Sequence, residues 1–157
     1  MDNYQEVATH SAYTKTWLSK RQSLLNAGGF DEKLRVWDDW DLLLRLSKEM
    51  TLVTVAYPLV VARQTHDSIS KDSSRFIHDM QLMLVKHKDT LSGYSAEYAG
   101  LHYVLALYLI HDGCWDEARK VLREVIGLNR WHWKSWLLLI VSLVSKPAAL
   151  RMIQGGR

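Results

Sequence analysis

The chain has 157 residues, 48% of them hydrophobic and 24% charged, which suits one average domain or two small ones and excludes a disordered or fibrous chain. Lysine plus arginine exceed aspartate plus glutamate by 20 to 17, a formal +3 that is too slight to argue for nucleic acid, and no nucleic-acid motif accompanies it. A single cysteine, Cys114, leaves no intrachain disulfide and no cysteine-based zinc site, and suits a reducing compartment.

The opening "MDNYQEVATH" has neither a basic start nor an apolar run, so it does not read as a secretory signal. The longest apolar stretch, "WLLLIVSLVS" from Trp136 to Ser145, is shorter than the roughly 18 to 20 residues of a spanning helix. A cytoplasmic chain, soluble or peripheral to a membrane, is therefore expected. Residues 1 to 14 are polar and unpatterned. "KTWLSKRQSLLNAGG" predicts an extended piece that turns into a helix of about two turns stopped by Gly28 and Gly29. A second helix is predicted over Asp38 to Lys48, with Trp40, Leu43 and Leu44 on one face, Leu42 and Leu46 widening it, and three acids at its favourable N-terminal end. "TLVTVAYPLVVARQ", residues 51 to 64, is rich in β-branched residues and predicts two short strands with a turn or edge at Pro58.

Up to Gln64 the pattern is α/β; after Ser70 it is helical only, which divides the chain into residues 1–70 and 71–157. Helices are predicted over Asp72 to Thr90, Ala96 to His111, Trp115 to Gly127 and Trp131 to Val144, with a short last one from Pro147. "DGCWDEARKVLREVIGLNR", with Ala118, Leu122 and Val125 after a glycine turn, resembles, together with the preceding helix, one degenerate tetratricopeptide-type helical hairpin. An array needs about three repeats, so a single helical hairpin packed on its neighbours is the plainer expectation.

The segment "GGFDEKLRVWDDWDLLLRL" concentrates the chemistry. Each piece has a structural explanation: glycines cap a helix, Asp and Glu occupy the turn beyond them, and acids suit a helix start. A carboxylate at the rim of a cleft can equally act as a general base, and glycosyl transfer needs one to take the proton of an acceptor hydroxyl. Followed by "VTVAYPLVVARQTHDSIS", the segment resembles the C-terminal half of the catalytic domain of family 2 glycosyltransferases, enzymes of the GT-A fold that use nucleotide sugars. The family pattern is Gly-Gly-Phe-Asp-Glu, a short spacer, Glu-Asp-x-Asp-Leu, an Arg-Leu pair, a Pro-Leu-Val strand and Arg-x-x-His before a Ser-x-Ser turn. It covers roughly residues 15 to 70.

That resemblance implies an α/β partial GT-A domain followed by an all-α tail, and transfer of a sugar from a nucleotide-sugar donor to a glycan or lipid-linked acceptor with inversion. Asp39 falls on the catalytic base, and Asp38 stands where the family has glutamate. Gly29, Phe30, Asp31 and Glu32 fall on the acceptor loop, with Trp37 and Trp40 as sugar platforms or, equally, core residues. Arg63 falls on the donor-diphosphate side. His66 falls on a ligand to a divalent metal, Mn or Mg. No Asp-x-Asp precedes Gly28 and no donor strand is present, so a fragment is expected that neither binds donor nor transfers sugar alone. Two other expectations stand beside this one. Residues 72–157 could form a helical protein-interaction module without catalysis, and "RWHWKSWLLLIVSLVSK" could contact a membrane peripherally through Trp131, Trp133 and Trp136 beside Arg130, His132 and Lys134.

Overall fold

Glycine turns and breaks in the apolar periodicity cut the chain into short helices. A computed structural model of the protein describes residues 17–51, 53, 57, 61 and 72–155. Eight helices occur among them: α1 (Arg21–Asn26), α2 (Asp38–Leu46), α3 (Ser73–Lys86), α4 (Lys88–Leu91), α5 (Ser95–His111), α6 (Trp115–Leu128), α7 (Trp133–Val144) and α8 (Lys146–Gln154). No strand or sheet occurs among the described residues, which corrects the α/β and GT-A expectation to an all-α fold. Thr51, Val53, Tyr57 and Val61, the described residues of the predicted strands, take no strand pairing. β-branched composition favours a pleated, half-buried surface only where a partner strand supplies one.

Two compact units divide the chain, Met1–Met83 and Leu84–Arg157, and the division falls within α3, past the composition change near Ser70. In the first unit, Leu42, Leu43, Leu44 and Leu46 of α2 are buried together with Leu34 and Trp40, and Ile77, Met80 and Met83 form the buried stripe of α3. The 3.6-residue repeat puts the α3 residues on one face.

The second unit is a run of helical hairpins, with α5 on α6, α6 on α7 and α7 on α8. Ala99 and Ala106 of α5 and Ala118 of α6 are buried small residues that let the helix axes approach, while Leu105, Leu109, Ile110, Val121, Leu122 and Val125 fill the space between. Arg119 of α6 donates to the Ser142 carbonyl of α7, satisfying a carbonyl of the last turn. Ser145 caps α8 by accepting the Ala148 amide, with Pro147 in the first turn. No helix among the described residues is long and apolar enough to cross a membrane.

The α5–α6 turn depends on one glycine. The Gly113 amide donates to Ile110 O (3.1 Å) and the Cys114 amide to Leu109 O (2.8 Å), the paired bonds of a Schellman stop, with Gly113 at φ 79°. Gly113→Ala should therefore cost about 1 to 2 kcal/mol. Gly100→Ala should instead stabilise by about 0.5 to 1 kcal/mol, because Gly100 lies inside α5 and an added Cβ meets nothing within 4 Å. Denaturant unfolding followed by helical circular dichroism checks both; equal signs for the two variants would contradict the turn geometry.

Candidate functional site

The first glycine pair of the chain forms the same stop at the end of α1. The Gly28 amide donates to Leu25 O (3.0 Å) and the Gly29 amide to Leu24 O (2.9 Å), with φ of 82° and 68°. The glycine loop is held in turn from α2. Arg45, in the last turn of that helix, donates through Nη2 to Gly29 O (2.7 Å) and through Nη1 to Ala27 O. Its Nε and Nη2 also reach Asp41 Oδ2, at 3.0 and 2.6 Å, and the Asp41 side chain has no exposed surface. The Gly-Gly loop and α2 are thus one hydrogen-bonded piece, and of the three acids Asp41 belongs to its interior.

Asp38 and Asp39 remain in the first turn of α2, both half-buried. Asp39 Oδ1 accepts the Trp40 amide at 2.8 Å. The Asp38 carboxylate has no hydrogen-bond partner among the described residues. The unpaired amides of a helix start favour negative charge at both positions. Between the glycines and α2 the chain makes a tight turn, in which Asp31 Oδ1 accepts the Lys33 amide (3.1 Å) and Asp31 O the Leu34 amide (3.0 Å). Phe30 and Glu32 are exposed there, and Gly29 and Asp31 are half-covered.

The two tryptophans face inward. Trp40 is 6% exposed, so its ring packs in the core. Trp37 is half-buried, edge-on to Trp40 at 5.9 Å between centroids and tilted onto Phe76 of α3 at 5.1 Å. Phe30 and Glu32, rather than the indoles, present side chains to solvent at this loop. Arg63 and His66 lie outside the described residues. Among the described residues no three His, Cys, Asp or Glu side chains converge as a metal site, and with Asp41 held by Arg45 the α2 acids do not supply one.

Asp79 is the residue that sequence reasoning missed. It sits beside the Ile77–Met80–Met83 stripe, and a carboxylate so close to an apolar helical face was the available signal. Buried in α3, Asp79 accepts the amides of Arg35 (2.8 Å) and Val36 (3.2 Å) through Oδ2, and lies 3.0 Å from His78 Nδ1 through Oδ1. It thereby fixes the end of the loop that leads into α2. Around it lies an open cleft of about 320 Å³ lined by Lys33, Arg35, Arg75 and His78 with Asp72 and Ser74. Asp72 is occupied in starting α3, accepting the Ser74 hydroxyl (2.8 Å) and the Arg75 amide (3.1 Å). Arg75 also pairs with Asp72, Nε to Oδ2 at 3.7 Å, which leaves Lys33 and Arg35 as the cations that make the cleft a favourable place for an anionic group.

Burial pushes the Asp79 carboxyl upward, but the His78 contact and the Arg35 and Val36 amides outweigh it and leave the pKa below the ordinary carboxylate value. A lowered folded pKa contributes stability that is fully present above the unfolded carboxyl's pKa and is lost as pH falls through the folded value, here below about pH 4. Asp79→Asn should flatten that acid limb of stability, and Asp79→Ala, which leaves two amides unpaired, should destabilise by about 1 to 3 kcal/mol at neutral pH. Urea unfolding at a series of pH values measures both, and an unchanged acid limb in Asp79→Asn would contradict the assignment.

Compared with known proteins, this chain matches no protein-family model, no curated protein and no solved structure.

Proposed function

We propose that the segment from Ala27 to Leu46 is the acceptor-side element of a glycosyltransferase, in which Asp39 is the general base. Asp39 takes the proton of an acceptor hydroxyl as that oxygen attacks the anomeric carbon of a nucleotide sugar. The bond from that carbon to the diphosphate breaks, the nucleoside diphosphate departs with the bonding pair, and the configuration inverts. Asp38 adds negative charge beside it. Phe30 and Glu32 are the loop side chains open to an acceptor.

One observation carries this: Arg45 holds the Ala27 and Gly29 carbonyls and Asp41 together, so the Gly-Gly loop and the helix that bears Asp38 and Asp39 keep a fixed relation. A base is effective only within hydrogen-bond reach of the proton it removes, and such a tie supplies the required rigidity. The support comes from loop and helix alone and from no sheet. The cleft beside Lys33 and Arg35 borders the same loop and suits a phosphate-bearing acceptor. A divalent metal belongs to the donor side of this reading, and Asp39's chemistry does not pass through it.

Donor recognition then lies outside these residues. Calorimetric titration of this chain with nucleoside diphosphates and manganese should show no micromolar binding, and such binding would refute the division of labour. Joined to a donor-binding half, the chain should support transfer, and Asp39→Asn should lower kcat by roughly 10² to 10⁴ with the donor KM nearly unchanged. Full activity in that variant would remove Asp39 from its role.

A further inference from the structure

After Glu124 the sequence contains no acidic residue, while Arg130, Lys134, Lys146, Arg151 and Arg157 all lie beyond it. This one-signed stretch holds α7, which buries a face of serine and leucine and leaves a wholly apolar face exposed. Ser135, Leu138, Leu139 and Ser142 recur at helical spacing and are buried toward the rest of the second unit. Trp133, Trp136, Leu137, Ile140, Leu143 and Val144 recur at the same spacing on the other side and stay exposed, from 42% at Leu137 to 82% at Val144. Trp131, just before the helix, is 92% exposed. A surface helix ordinarily turns a polar face to water, and one that is apolar all round ordinarily has a second cover.

We infer that this outer face of α7 docks onto an anionic membrane surface, a property that does not depend on the glycosyl-transfer proposal. Charge selects this occupant. The cations flanking the face, Arg130 and Lys134 at its start and Lys146 at its end, are exposed, and no carboxylate in this stretch repels anionic headgroups. The tryptophans gather at the start of the helix beside those cations. Indole rings with one polar edge favour the headgroup level, and the Trp136 Nε1 is already satisfied by the Arg130 carbonyl at 3.1 Å, which lets its ring enter lipid without an unpaired donor. Twelve residues of helix are about 18 Å long against the roughly 30 Å hydrocarbon core, so α7 lies along the surface rather than across it.

The test is flotation of the whole chain with vesicles of phosphatidylcholine alone and of phosphatidylcholine carrying about a third phosphatidylglycerol. Anionic vesicles should float the protein, neutral ones should do so much less, and added salt should release it. Trp133→Glu with Ile140→Glu should weaken flotation by at least about tenfold, since each removes an apolar side chain from lipid. Arg130→Glu with Lys134→Glu should weaken it by more than about tenfold and leave the apolar face intact. All four positions are exposed or solvent-facing, and helical circular dichroism of each variant confirms that the fold persists. Flotation that is absent, or equal on neutral and anionic vesicles, overturns the inference. So does a concentration-dependent dimer, seen by sedimentation without lipid and abolished by the Trp133 and Ile140 changes, in a protein that does not float.

Discussion

A single guanidinium orders the first unit. Arg45 uses Nε, Nη1 and Nη2 on three acceptors, the Asp41 carboxylate and the carbonyls of Ala27 and Gly29, and only about a fifth of its side chain meets solvent. Withdrawing such a pair from water costs several kcal/mol per ion, which the interaction recovers only when the donors are well placed. The glycine pair supplies that placement. Positive φ at Gly28 and Gly29 turns the chain back so that carbonyls from the end of α1 lie within reach of the last turn of α2. Everything proposed for Asp39 depends on this tie, because a base on a helix start is useful only if the opposing loop cannot drift.

Asp79 does for the second half of the loop what Arg45 does for the first. Its carboxylate holds the Arg35 and Val36 amides, and Trp37 then packs on Phe76. Both ends of the connection between α1 and α2 are thus fixed by charged side chains bonded to backbone, whereas the second unit relies on apolar layers between hairpins, with Arg119 bridging α6 and α7. The contrast suits two tasks. Polar ties set positions to within a hydrogen-bond length, while apolar layers tolerate exchange of one cover for another, and α7 has a whole apolar face available for such a cover.

Legibility in the sequence tracked the range of the interactions. The helices from Asp72 onward could be read because periodicity and glycine stops are local; the α5, α6 and α7 boundaries agree to within a residue or two. The break at His87 between α3 and α4 was not visible, since apolar spacing continues through Leu84 and Leu91 across it. Of the strands expected over residues 51–64, only Thr51, Val53, Tyr57 and Val61 are among the described residues and none of these is paired as a strand; β-branched composition alone does not supply a partner. At the site, Asp41 could be placed on a helix, but not its pairing with an Arg45 guanidinium that also donates to the distant carbonyls of Ala27 and Gly29. Trp37 and Trp40 carry the same side chain whether they meet sugar or core, so only burial decides between them. Asp79 was missed because its amide partners lie more than forty positions away.

Arg45 and Asp41 are coupled, and the glycine loop depends on the pair. A double-mutant cycle on thermodynamic stability measures this directly, with Arg45→Met, Asp41→Leu and the pair together. Arg45→Met alone should destabilise by about 3 to 5 kcal/mol, because it strands a buried carboxylate, and the double variant should be less destabilised than the sum of the single ones by more than about 1 kcal/mol. Additive effects, with Arg45→Met costing no more than an ordinary surface change of about 0.5 kcal/mol, would contradict the account.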